Sequence, residues 1–248
     1  MMEYGIFARF YDTLTGNIDY ENSTDFLCRV FEKYDRIPTL LLDVGCGTGG
    51  FSICFAKRGI DVIGADISTA MLEQAQQKAR DEELDILFLN QSGQELDLYG
   101  TVDGAVSCLD TVNHVADKRE LVKFFKKVSL FLEKDRLFIF DVNTLYKHES
   151  VLADNCFVFD NESHYCVWQN FYDNKRKVTD ICLDFFIKSG DKYIRETEEF
   201  CERAYSDNEL CKMLTKSGFK VIDILGDYSF NKPKKTEQRQ IFVCRKVK

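Results

Sequence analysis

From the N-terminus to about residue 145, short apolar runs alternate with segments whose apolar positions recur every three or four residues. Phe26, Leu27, Val30 and Phe31 line one face of a helix predicted over Ser23–Tyr34, and Thr39–Val44 is an apolar run of strand length. The next helix is predicted over Phe51–Lys57, ended by Gly59, and the next strand over Asp61–Ala65. Ser68 caps a helix whose Met71, Leu72, Ala75 and Ala79 share a face. Ile86–Leu89 and Ala105–Cys108 are further strands. Asp117 with Glu120 reads as a capping box before Leu121, Phe124, Phe125 and Val128, and Arg136–Val142 closes the series. Near-continuous apolar strands between helices imply a parallel sheet covered on both faces.

Beyond Lys147 the period changes. Cys156–Tyr205 alternates and is rich in aromatics, with Asp173-Asn174 and Ser189-Gly190-Asp191 as turns, which predicts antiparallel hairpins. Ser206 and Glu209 form a second capping box for a helix ended by Gly218, and Val221–Leu225 and Gln240–Cys244 are two last strands. The expected organisation is one α/β domain made of 1–146 and 206–248, interrupted by an antiparallel β insertion over 147–205.

The length of 248 residues suits one sizeable core. The formal charge of -8 argues against a duplex nucleic-acid partner. Ten cysteines are scattered without a C-x-x-C pair and only three histidines occur, so no metal site is expected. No signal sequence and no bilayer-length apolar segment is evident, which implies a cytoplasmic protein.

The chemistry concentrates at Leu41–Phe51 (LLDVGCGTGGF), a strand, glycine turn and helix start. Gly45, Gly47 and Gly49 let backbone approach a ligand at the carboxyl end of the strand. The same glycines satisfy the dinucleotide fingerprint, and Asp66 at the end of the second strand suits the ribose of either cofactor. Asp43 separates the two readings: a carboxylate in the turn repels a pyrophosphate but favours the ammonium and sulfonium of S-adenosylmethionine.

Asp43-x-Gly45-x-Gly47-x-Gly49, then Ala65-Asp66-Ile67-Ser68-x-x-Met71-Leu72, resembles the first two motifs of class I S-adenosylmethionine-dependent methyltransferases. Phe7-Ala-x-x-Tyr11-Asp12, Cys108-Leu109-Asp110-Thr-Val-Asn113-His114, Leu132–Asp141 and Leu214-x-x-x-Gly218-Phe219 follow in family order. The resemblance implies a Rossmann-like, seven-stranded, mostly parallel sheet with helices on both faces. The insertion is similar to the antiparallel lid of small-molecule methyltransferases such as the glycine and sugar N-methyltransferases. Carried over by position, Asp43, Gly45, Gly47, Thr48 and Gly49 border the methionine part of the cofactor. Asp66 holds the ribose, and Ile67 and Met71 lie against the adenine. Gln91 or Ser92, where an aspartate is usual, meets the adenine amino group. Leu109 and Asp110 lie near the sulfonium and amino group, and Tyr11 and Tyr20 close the site.

The methyl donor is activated by its own sulfonium, so the protein has to align an acceptor and exclude water. His114 is the candidate base, with Asn113 to orient it; its bland alternative is a histidine satisfied by backbone. His148 and His164 are weaker candidates, each able to be a surface residue. Tyr165, Trp168, Phe171 and Tyr172 could wall a substrate pocket or be hairpin core. Arg195 and Arg203 could pair with an acidic group of a substrate, but Glu196, Glu198, Glu199 and Glu202 are expected to be their nearer, surface partners. The acceptor is expected to be a nitrogen or oxygen of a small metabolite. An RNA- or protein-modifying methyltransferase is a second reading, and a nicotinamide-dependent oxidoreductase a third.

Overall fold

The structure is a computed structural model describing residues 5–248; the first four residues of the 1–146 segment lie outside the described residues. Its strands are β1 (Leu40–Val44), β2 (Asp61–Asp66), β3 (Leu87–Asn90), β4 (Gly104–Ser107) and β5 (Leu137–Asn143). After these come β6 (Cys156–Asp160), β7 (His164–Asp173), β8 (Val178–Ser189), β9 (Lys192–Arg203), β10 (Phe219–Leu225) and β11 (Arg239–Lys246). The helices are α1 (Gly5–Leu14), α2 (Tyr20–Tyr34), α3 (Gly50–Lys57), α4 (Thr69–Asp81), α5 (Thr111–His114), α6 (Lys118–Phe131) and α7 (Asp207–Lys216).

Seven strands form one sheet in the order β10-β11-β5-β4-β1-β2-β3. β1 to β5 pair in parallel, and β11 runs antiparallel to both β5 and β10. Every residue of β4 and β5 is buried, which is why these runs show no polar alternation. Alternate side chains still go to opposite faces. Leu42, Phe138, Phe140 and Phe242 meet Leu121, Phe124 and Phe125 of α6 on one face. Leu41, Leu137, Ile139 and Val243 meet Phe26, Val30 and Phe55 of α2 and α3 on the other. The strand order reverses direction between β1 and β4, the position where open α/β sheets take ligands.

β6 to β9 form a separate antiparallel sheet, inserted between β5 and α7. Gly190, at φ +62°, occupies the tight turn between β8 and β9. The apolar face of this sheet (Ile181, Leu183, Phe185 and Phe200) packs on Phe7, Phe10 and Leu14 of α1. α1 was not read from the sequence as a helix, because its apolar face is matched by a sheet almost two hundred residues away. Its amphipathic pattern is short, and tertiary burial stabilises it.

Local signals were met with two differences. Ser206 and Glu209 make the full reciprocal box. Asp117 accepts from the amides of Arg119 and Glu120, but Glu120 turns to Lys123 Nζ at 2.8 Å, so only half of that box forms. α2 starts three residues earlier than predicted because Asp19 caps it through the Asn22 amide. No helix of the described residues is long and apolar enough to cross a membrane.

Candidate active site

A cavity of about 290 Å³ lies at the carboxyl ends of β1, β2 and β4 and is overhung by α1. Its floor is the turn after β1. Gly45 has φ +76° and donates to Ala65 O at 2.7 Å; a Cβ there would stand 2.3 Å from Thr111 Cγ2. Gly47 has φ +53° and donates to Asp66 Oδ2 at 2.9 Å; a Cβ there would meet nothing within 4 Å. Gly45 is therefore required by packing and backbone, whereas Gly47 keeps the backbone bare beside open space. Gly49, at φ +79°, starts α3 and does not line the cavity; a Cβ on it would sit 3.0 Å from Ala75 Cβ.

Two carboxylates define the polarity of the floor. Asp43, next to the end of β1, is almost fully buried and accepts Ser52 Oγ at 2.6 Å on Oδ2; among the described residues Oδ1 has no donor. Burial pushes its carboxyl up to about 7, against the opposing Ser52 bond. Asp66 accepts the Gly47 amide and, at 2.8 Å, the Ser68 amide; burial outweighs these bonds and raises it as well. A cavity with two desolvated carboxylates favours a ligand carrying positive charge and hydroxyl donors, and disfavours a pyrophosphate.

Tyr11, Tyr20, Thr48, Ile67, Met71, Gln91, Ser92 and Leu109 all line the cavity, as does His114. Burial raises the Tyr11 phenol, and carries that of Tyr20 to about 12, so both are hydroxyl donors at neutral pH. Thr48 Oγ1 donates to Asp12 Oδ1 at 2.6 Å, tying α1 to the glycine turn, and Lys78 holds the other oxygen of Asp12 at 2.8 Å. Gln91 is engaged on both ends by the Asp97 backbone, and Ser92 Oγ bonds Glu95 at 3.2 Å.

Several expected residues sit elsewhere. Asp110 is not among the cavity residues: its carboxylate turns to Arg239 Nη2 at 3.1 Å, and Arg239 also holds Asp141 at 2.7 Å. Burial alone would raise Asp110, but the charges of Arg239, Lys147 and His114 overrule it and hold it at about 2. Asn113 is fully buried and does not orient His114. Its amide donates to Asn143 O (3.1 Å) and Arg203 O (2.9 Å), and accepts the Asn143 amide at 2.9 Å, joining β5 to the second sheet. His148 and His164 are not surface residues. His148 lies in the π-helical turn Lys147–Leu152, bonds Thr179 Oγ1 at 2.8 Å, and is driven by burial down to about 4. His164 stacks on Phe10 at 4.1 Å.

None of Tyr165, Trp168, Phe171 and Tyr172 lines the cavity; Phe171 is 55% exposed, and Trp168 Nε1 bonds Asn170 in its own strand. Arg195 pairs with Asp184 across the strands at 2.8 Å, and Arg203 caps the carbonyls of Ala116 and Arg176, so neither takes the expected glutamates. Sequence reading also missed Phe7, Thr111, Val115 and Phe124 as cavity walls. Phe7 was signalled by the N-terminal motif; Phe124 looked like an ordinary core position of α6, and nothing local marks it.

A methyltransferase-domain family profile matches residues 41–135. The chain is 31% identical to a protein of Geobacillus sp. (strain WCH70), provisionally named a methyltransferase, over 99% of this chain and 100% of that one. It is also 31% identical to YqeM of Bacillus subtilis (strain 168), provisionally named likewise, over 100% of this chain and 98% of that one. A crystal structure of an S-adenosylmethionine-dependent methyltransferase from Clostridium acetobutylicum ATCC 824 superimposes with TM-score 0.89 at 29% identity, covering 99% of both chains. The S-adenosylmethionine-bound amino pentose methyltransferase of Micromonospora echinaspora shares the fold at TM-score 0.77 and 16% identity, covering 96% of both chains. The bare backbone at Gly47, the open oxygen of Asp43 and the buried Asp66 fit such a cofactor, and the chain belongs to the class I S-adenosylmethionine-dependent methyltransferases.

Proposed function

We propose that this enzyme methylates a nitrogen or oxygen of a small-molecule acceptor, with the sheet of β6–β9, within 147–205, and α1 acting together as a lid over the cavity. The observation that carries this reading is the roof of the cavity. Phe7 and Tyr11 of α1 form part of its wall, and α1 is clamped between the glycine turn and the second sheet. The Phe7 amide also donates to Glu198 on β9 at 2.8 Å. A covered cavity of this size admits a metabolite more readily than a folded macromolecule, and the net charge of -8 supports the same choice.

In this reading Asp43 accepts the cofactor's ammonium on its open oxygen, and Asp66 accepts the ribose hydroxyls while the Gly47 and Ser68 amides fix its orientation. Ile67 and Met71 flank the adenine. The bound cofactor supplies an electrophilic methyl group. Tyr11, Tyr20 and Leu109 exclude water from the reacting end. His114, on the wall between cavity and lid, takes the proton that the acceptor loses. Asp110 keeps the β4–α5 turn in place through Arg239.

The test is a panel of small amines and hydroxylated metabolites, run beside transfer RNA and unfolded protein, with S-adenosylhomocysteine production as readout. Turnover confined to small molecules supports the proposal; turnover only with RNA or protein overturns it.

A further inference from the structure

Beside the cavity, where the core meets the second sheet, lies a polar cluster that cofactor binding does not use. Asp110 and His114 stand four residues apart across the one-turn helix α5, and Glu202 reaches them from β9. Ligand atoms of the three lie within 4.8 Å of one another. Glu202 is 3% exposed. Its Oε2 accepts Asn143 Nδ2 at 3.1 Å, while Oε1 has no hydrogen-bond donor among the described residues; His114 Nε2 is 3.9 Å away. That separation is too long for a hydrogen bond. It is the spacing of two atoms that share a metal ion, since ligands about 2.1 Å from one ion lie roughly 3–4 Å apart.

Charge points the same way. Asp110, Asp141 and Glu202 face Arg239, Lys147 and the imidazole of His114, and Asp227 adds a further carboxylate on the Arg239 side. The cluster thus carries an excess of negative charge in a desolvated place. Arg239 occupies Oδ1 of Asp110 and Lys147 Nζ is turned to Asn143 Oδ1 at 2.8 Å, so Oδ2 of Asp110 is left for another ligand.

We infer that the protein binds one divalent cation between core and lid, ligated by Asp110, His114 and Glu202. One imidazole with two carboxylates suits Mn²⁺, Fe²⁺ or Zn²⁺ better than Mg²⁺ or Ca²⁺, which favour all-oxygen sites. The three ligands leave coordination positions open, as catalytic rather than structural sites do. Because one ligand comes from the β4–α5 turn, one from the end of α5 and one from β9, the ion also fastens the second sheet to the core. An acceptor hydroxyl on an open position would ionise more readily beside the ion, its proton passing to solvent water, and His114 would then serve as ligand and not as base. The site stands on these three residues and does not depend on the acceptor being a small molecule.

The experiment titrates Mn²⁺ into the full chain after chelator treatment, following free Mn²⁺ by electron paramagnetic resonance and thermal unfolding in parallel. One saturable ion per chain is expected, with a rise in Tm and an affinity lowered at least about tenfold in both Glu202→Gln and His114→Gln. His114→Gln changes a partly exposed side chain, so it remains informative if Glu202→Gln fails to fold. Absence of saturable binding, or binding that survives His114→Gln unchanged, overturns the site. Either result leaves the methyl-acceptor panel to be read independently.

Discussion

Asp43→Asn is the sharpest perturbation of the cofactor site, because it removes a charge while keeping size and shape. Asp43 is almost fully buried, and its carboxyl is raised from an ordinary 3.8 to about 7 by desolvation. Each tenfold change in proton affinity is worth about 1.4 kcal/mol, so ionising this group in the ligand-free protein costs about 4 kcal/mol of stability. The folded state holds the proton where the unfolded chain has released it. Stability therefore falls as pH rises from about 4 to about 7 and is flat beyond. The asparagine variant has no such slope, and its amide oxygen can still accept the Ser52 hydroxyl. Urea unfolding should find the two proteins alike near pH 4. Near pH 8 the variant should be more stable by up to about 4 kcal/mol, while its affinity for S-adenosylmethionine collapses. The wild type should bind the cofactor more tightly as pH rises toward about 7, since the cofactor's cation favours the ionised carboxylate. A variant no more stable than wild type near pH 8, or one that binds the cofactor normally, would refute the reasoning.

The two turn glycines should separate stability from binding. Gly45→Ala drives a Cβ into Thr111 at a positive φ and should cost about 2–4 kcal/mol in denaturant unfolding. Gly47→Ala meets open space, so it should cost only about 1 kcal/mol yet weaken cofactor binding in calorimetry by obstructing the cavity floor. Burial lowers His148 from 6.5 to about 4, so its contribution to stability is lost as pH falls through that window; His148→Gln should flatten the acid limb of Tm against pH. Ser206→Ala removes one arm of the α7 capping box and should lower stability by about 1 kcal/mol without altering cofactor affinity.

Much of the sheet was legible because its signals are local. A buried parallel strand such as β5 must be apolar throughout, and the turn after β1 must be glycine wherever φ is positive or backbone faces a ligand. Asp43 could be read for its charge alone, since among the described residues no cation pairs with it, and it lies next to the end of β1, two residues before the glycine turn. The period change after Lys147 marked the second sheet, and Gly190 its last hairpin.

Tertiary structure decided whatever depends on partners distant in sequence. Asp110 followed its motif onto the β4–α5 turn, but Arg239, 129 residues later, claimed one oxygen of its carboxylate. Asn113 lies beside the candidate base in sequence, yet the buried carbonyls of Asn143 and Arg203 claimed its amide, because an unsatisfied backbone oxygen there would cost more than an idle side chain. His148 and His164 carry no local mark of burial; Thr179 and Phe10 supply it. Glu202 read as one of several surface acids, and only the docking of β9 on α5 sets it against His114. The sequence by itself thus determined the cofactor and the sheet that holds it, through backbone conformation and period. Which charged groups face the reacting end was settled by long-range packing, because desolvation and pairing belong to the folded arrangement and not to any stretch of chain.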